Sequence, residues 1–149
     1  MTIMKEVIMN RRELLGKSTV ALGAIAAATA STVGGVALAS NKKAASLIDA
    51  ANDCIAVSEE CLTHCFIELG KGDKSMAECA VAVRETLAAC RGLVTLAASE
   101  SKHLKEFAAV CSKICRDCEA ACKKHEKHHA ICKRCMEACA ACASACEAV

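Results

Sequence analysis

Fourteen cysteines carry the chemistry of this chain of 149 residues, and their spacing is regular. Cys111, Cys115, Cys118 and Cys122 follow one another at steps of 4, 3 and 4, and Cys132, Cys135, Cys139, Cys142 and Cys146 at steps of 3, 4, 3 and 4. That alternation marks the seam of an α-helix facing other helices, where a bundle normally places Leu, Ile or Val. Thiols three or four residues apart on a helix have Cβ atoms about 5–6 Å apart, whereas a disulfide needs about 3.5–4.5 Å. Neighbouring rungs are therefore poorly placed to bridge covalently and well placed to converge on a soft metal ion. The expected chemistry is metal binding in a sulfur-lined core.

Packing alone does not account for the pattern. A free Cys is a small, buried, apolar residue, and one or two per bundle would need no other explanation. Fourteen in phase do, because Ala, Leu or Val would pack without the oxidation hazard. Thiolate selects Cu(I), Zn or iron–sulfur clusters over Mg, Ca or Mn. Ferredoxin-type runs, with their Cys-x-x-Cys-x-x-Cys-x-x-x-Cys-Pro spacing, do not match an alternation of 3 and 4 in a chain without Pro. Zinc wants four ligands in a tetrahedron. A helical seam supplies pairs more readily, which favours Cu(I) on geometry, whereas neutralising the thiolate charge would suit either ion.

The elements that must hold these sulfurs are helices. The chain has no Pro, no Trp, no Tyr and only two Phe, so it favours helix and lacks the means for an ordinary aromatic core. A first helix is expected from Ala44 to Leu69, with Leu47, Ala51, Cys54, Ser58, Cys61 and Cys65 on one stripe. Gly70-Lys71-Gly72-Asp73 breaks it. Ser75-x-x-Glu78 reads as a capping box opening a second helix to Ala98, with Met76, Cys79, Val83, Thr86 or Leu87, Cys90 and Val94 inward. Cys79 and Cys90 are 11 residues apart and must find partners on other helices.

Ser99 or Ser101 is the expected N-cap of a third helix carrying Cys111 to Cys122 and then His125. The polar break Lys123-Lys124-His125-Glu126-Lys127 separates it from a fourth, carrying His128 and the sulfurs from Cys132 to Cys146. The expected fold is all-α, an antiparallel up-down-up-down four-helix bundle with a Cys-lined core over residues 40–149. In that topology the first and third turns share one end. His64, Met76, His125, His128 and His129 gather there as candidate entry ligands, each also readable as a solvated turn residue or core filler. His103 belongs to the surface, and Lys113, Arg116, Lys133 and Arg134 to the solvated outer faces.

Residues 1–39 read as an export signal. Asn10-Arg11-Arg12-Glu13-Leu14-Leu15-Gly16-Lys17 resembles the twin-arginine pattern and precedes a run without charge from Ser18 to Ser40, with Ala37-Leu38-Ala39 as a cleavage site. The run is long enough to be an uncleaved anchor, but its Ala, Gly, Thr and Ser content suits a cleaved signal better. The expected location is the periplasm or another extracytoplasmic compartment, with no membrane association after cleavage. Without the signal the acidic and basic residues balance, which leaves no electrostatic footprint for nucleic acid.

With these residues in hand, the chain resembles the bacterial copper storage proteins of the exported kind. The resemblance rests on Arg11-Arg12, on the Cys-x-x-x-Cys pairs Cys61/Cys65, Cys111/Cys115, Cys118/Cys122, Cys135/Cys139 and Cys142/Cys146, and on the Cys-rich last two helices. It implies a homotetramer of four-helix bundles, each holding many Cu(I) ions through Cys, with a His and Met mouth matched by His64 and Met76. The implied activity is non-enzymatic storage. A copper delivery chaperone docking on a copper enzyme or transporter, and a metallothionein-like zinc store, are the alternatives.

Overall fold

The computed structural model describes the backbone of residues 33–149 and the side chains from Lys42 onward. The export segment read at 1–39 therefore lies, up to residue 32, outside the described residues. Four α-helices follow in order: α1 Val33–Gly70, α2 Ala77–Ala98, α3 Leu104–Lys123 and α4 Ala130–Glu147. A single 3₁₀ turn, Lys74–Met76, leads into α2. Helix α1 begins earlier than the expected Ala44 and runs without a break through Ala39 and Ser40. Among the described residues no helix is long and apolar enough to cross a membrane.

Each helix packs against two others, in the ring α1, α2, α3, α4 and back to α1. The pairs that meet show the directions. Along the α1–α4 interface Cys54 meets Cys139, Ser58 meets Cys135, and His64 meets His129, so one number rises as the other falls. Across α2 and α3 the pairs Cys79–Cys122 and Cys90–Cys115 do the same. The neighbours are antiparallel, as short connections require.

The turns explain the ring. At the end of α1, the Gly72 N–H bonds to Leu69 O and the Asp73 N–H to Glu68 O, which is a Schellman closure. It needs a left-handed residue, and Gly72 has φ 97°. The end of α2 is closed the same way, with Glu100 N–H to Ala97 O and Ser101 N–H to Leu96 O, but there the left-handed residue is Glu100 at φ 49°. The expected capping box at Ser75 does not form. Asp73 accepts both the Ser75 N–H and its hydroxyl, so Ser75 serves the 3₁₀ turn, and α2 starts after Met76 without a side-chain cap. Helix α3 likewise starts after His103, while the Ser101 hydroxyl oxygen accepts the His103 N–H one turn earlier.

Inside the ring, the core is small residues and sulfur. All fourteen Cys are buried and free of disulfides. Leu47, Ala51, Leu93, Ala97 and Ala108 close the end of the bundle away from the first turn, with Leu104 and Phe107 packed against them. Each buried Leu contributes about 1.5–3 kcal/mol, so this plug and Met76 supply much of the hydrocarbon stabilisation that sulfur does not. The inward residue of α2 after Cys90 is Leu93; Val94, expected from the sequence, is only half-buried. Gly92 stands where Phe107 crosses: a Cβ on Gly92 would lie 2.8 Å from the Phe107 Cζ.

The outer faces are charged and carry one ion pair across every interface of the ring. Arg91 pairs with Glu59, Lys124 with Glu78, Arg116 with Glu147, and Arg134 with Glu60. Such exposed pairs are worth about 0–1 kcal/mol each. They reinforce register more than stability, and they leave Arg116 and Arg134 on the solvated faces expected for them.

Candidate metal centre

The 3 and 4 spacing places every sulfur on the buried stripe of its helix, and the ring brings the four stripes together. Five groups of sulfurs result, each with all members within 4.8 Å of one another. Nearest the first turn are Cys61, Cys79 and Cys132, then Cys61, Cys122 and Cys135, then Cys118, Cys135 and Cys139. Farther in are the quartet Cys54, Cys90, Cys115 and Cys142, and finally Cys111, Cys142 and Cys146. The quartet takes one sulfur from each of the four helices. Cys79 and Cys90, isolated on their own helix, do find partners elsewhere: Cys79 Sγ lies 3.5 Å from Cys122 Sγ, and Cys90 Sγ 3.8 Å from Cys115 Sγ and 3.7 Å from Cys142 Sγ.

These separations suit sulfurs that converge on one soft metal ion. With a metal–sulfur bond of about 2.3 Å, two sulfurs on opposite sides of an ion lie about 4.6 Å apart, and three around it about 4.0 Å apart. The groups of three fit a two- or three-coordinate soft ion. The quartet qualifies the expectation that a helical seam supplies pairs rather than tetrahedra. Four helices meeting at one level also make a four-sulfur site.

Sulfurs packed this closely share protons, and the sharing polarises them. The Cys132 thiol is held down to about 3 by hydrogen bonds from Cys61 and Cys79, with His129 and His125 adding to the effect and burial opposing it. Cys65 is held down to about 4 by Cys61 and Cys79 in the same way, with a smaller contribution from His64. Their neighbour Cys61 is pushed up, because it supplies the protons that Cys122, Cys132, Cys135 and Cys65 draw on. At the far end a hydrogen bond from Cys111 pulls Cys146 down, but Cys142 and burial together outweigh it and leave the thiol pushed up to about 12. A soft cation replacing those protons would meet sulfurs already part of the way to thiolate.

The expected mouth is assembled in part. His64 Nε2 and His129 Nδ1 lie 2.8 Å apart, joining the last turns of α1 to the residue before α4. The His125 and His129 ring centroids are 6.2 Å apart. His64, His125 and His129 are half-buried, and Met76 is fully buried in the core. His128 is exposed in the turn, because α4 begins only at Ala130 and its stripe does not reach back that far.

Two buried hydroxyls in the sulfur core were not singled out from the sequence as site residues. Ser58 Oγ lies 3.9 Å from Cys54 Sγ and 3.8 Å from Cys135 Sγ. Thr86 Oγ1 is buried with no hydrogen-bond partner. Their positions on the inward stripes were the only signal the sequence offered.

Comparison with known proteins agrees with this geometry. The family model described as "Csp: Copper storage protein" matches residues 40–149. The Cu(I)-bound copper storage protein BsCsp3 superposes with a TM-score of 0.65 at 30% identity, over 71% of this chain and 96% of that one. The apo form of copper storage protein 3 from Bacillus subtilis gives 0.61 at 31% identity, over 69% of this chain and 94% of that one. An uncharacterised cysteine-rich protein of Bacillus subtilis is 31% identical over 102 residues, which is 68% of this chain and 91% of the relative. Sulfur-lined helices, overlapping ligand groups and a family match across the whole bundle lead to one conclusion: the chain belongs to the copper storage protein family.

Proposed function

We propose that this chain takes up and buffers many Cu(I) ions, held by the thiolates of its fourteen Cys inside the bundle. The observation that carries the reading is the overlap of the sulfur groups. Cys61, Cys135 and Cys142 each belong to two of them, so neighbouring ions would share ligands. Shared thiolates let monovalent ions accumulate with little net buried charge, which lowers the cost of filling a closed core. Four of the five groups offer three sulfurs, short of the four that a structural zinc ion takes. The relative described as Cu(I)-bound supports the same ion.

Copper would enter at the end where His64, His125 and His129 lie, pass to the polarised sulfurs Cys65 and Cys132, and move inward by exchange between sulfurs. This is binding and release, with no reaction catalysed. The Arg11-Arg12 pattern and the uncharged run after it support export by the twin-arginine route and storage outside the cytoplasm, free of the membrane after cleavage. Export of a folded chain would also carry reduced thiols, already shielded, into an oxidising compartment. A homotetramer is proposed on the family resemblance, and the exposed Phe66, Ile67, Val81 and Val110 offer apolar surface for it.

Zinc storage is the second reading, favoured by the quartet Cys54, Cys90, Cys115 and Cys142. A delivery chaperone docking on a copper enzyme fits less well, because no sulfur is exposed for hand-over. Metal analysis of protein isolated from the exported fraction without added metal tests the proposal. Copper in several-fold excess over chains is the expected result; zinc as the principal metal, or a chain free of copper in copper-replete cells, contradicts it.

A further inference from the structure

The sulfur groups form a chain with one irregular joint. Cys61 links the first group to the second, Cys135 the second to the third, and Cys142 the fourth to the fifth. The third and fourth groups share no sulfur. They touch through Cys139 Sγ and Cys54 Sγ, 3.8 Å apart. Ser58 stands at this joint, fully buried, with its hydroxyl between Cys54 of one side and Cys135 of the other.

A second hydroxyl lies at the same level. Thr86 is one turn before Cys90 on α2 and Ser58 one turn after Cys54 on α1; because Cys54 and Cys90 share the quartet and these neighbouring helices run oppositely, positions 58 and 86 come to the same level of the bundle. Thr86 is fully buried and its hydroxyl is unpartnered. A buried, unpaired hydroxyl destabilises the fold, and Val or Cys would fit the same space. At this level α1 and α2 therefore present oxygen while α3 and α4 present sulfur, and hydroxyl is a poor ligand for a soft monovalent ion.

We propose that Ser58 and Thr86 form a hydroxyl waist that divides the store into two sectors, with the Cys139–Cys54 contact as the crossing between them. The inference rests on the reading of the chain as a Cu(I) store. The mouth sector holds eight sulfurs, from Cys65 to the group of Cys118, Cys135 and Cys139, and the distal sector holds the other six. Crossing is a ligand exchange without change of oxidation state: a Cu–S bond to Cys54 forms as that to Cys139 breaks, and the Cys54 thiol proton passes to Cys139. Ser58 acts as a positioning residue, holding Cys54 and Cys135 by hydrogen bonds while offering copper no soft ligand of its own. The sectors then fill one after the other.

Anaerobic stopped-flow loading with Cu(I), followed by the ultraviolet sulfur-to-copper charge-transfer band, tests this on the full bundle. The native chain is expected to load in two phases. Cys139→Ser should lower the amplitude of the first phase, because it removes a sulfur of the mouth sector, and should also slow the second phase about tenfold or more, as expected when a soft ligand is replaced by a hard one at the crossing. Cys118→Ser, which removes a sulfur of the same group away from the joint, should lower capacity without that slowing. Ser58→Cys should merge the phases and raise capacity, and Ser58→Thr should keep two phases. Full capacity reached in a single phase by the native chain, or equal slowing by Cys139→Ser and Cys118→Ser, overturns the waist and leaves storage standing. A folded chain that binds no Cu(I) overturns both.

Discussion

His64 and His129 meet ring to ring at the mouth of the bundle, with Nε2 of one 2.8 Å from Nδ1 of the other. One nitrogen donates and the other accepts, so a lone pair is occupied until the pair opens. On the proposed entry route an arriving soft ion would compete for those nitrogens before it reached sulfur. Replacing His129 by Ala is expected to slow Cu(I) uptake several-fold in stopped-flow mixing, with final capacity unchanged. Equal rates would remove the histidines from the entry route.

Sulfurs that belong to two groups should matter more than those in one. Cys142 serves both the quartet and the group of Cys111 and Cys146, whereas Cys132 serves a single group. Cys142→Ala is expected to lower the Cu(I) capacity by about two ions and Cys132→Ala by about one, since an ion at such a site needs two or three soft ligands. Quantitative metal analysis after anaerobic loading and desalting reads the difference.

The polarised thiols give the apo protein a pH signature. Cys132 and Cys65 are depressed from the ordinary 9.0 to about 3 and about 4. A depressed value means that their contribution to stability is fully present above the unfolded value and lost as pH falls through the folded ones, between about 9 and 3. Reduced apo protein at about pH 6 is therefore expected to keep ultraviolet thiolate absorbance that vanishes in denaturant, where the thiols return to their ordinary range well above that pH. Cys132→Ser should diminish it. Absorbance unchanged by unfolding would contradict the proton sharing.

Gly92 is expected to be fixed by Phe107 rather than by the helix that contains it. Gly92→Ala gains about 1 kcal/mol of helix propensity, but the added Cβ would sit 2.8 Å from the Phe107 ring. Displacing that ring from its packing against the core forfeits part of the about 1.5–3 kcal/mol that burying a Phe provides. The net expectation is a loss of about 1 kcal/mol in the native background and a gain of about 1 kcal/mol in Phe107→Ala. Thermal unfolding of the four apo variants measures this reversal of sign.

The last two helices were legible in the sequence because their buried stripes are written almost entirely in Cys at steps of 3 and 4, and the first two because small and apolar residues keep the same steps between their Cys. Regular continuation also explains the misread stripe position on α2: after Thr86 and Cys90 the next step is 3, to Leu93, whereas Val94 would repeat a step of 4 and leave the seam. The partners of Cys79 and Cys90 were legible only as a necessity, since which sulfurs meet depends on how far each helix slides along its neighbour. Ser75 offered its hydroxyl to two competing hydrogen bonds, and Asp73 won because it lies in the same tight turn. Ser58 and Thr86 were hidden for a different reason. A hydroxyl on an inward stripe looks like small filler until the absence of a sulfur at its level becomes visible in three dimensions.

The central claim is that inward-pointing thiols make this bundle a reservoir for monovalent copper, and anaerobic titration of the reduced protein with Cu(I) against a strong competing chelator tests it most directly. The account predicts that the chain withdraws copper from the chelator well past the first few equivalents, approaching on the order of one ion per thiolate. Saturation at only about one or two ions per chain, the capacity of a simple carrier site, would contradict it.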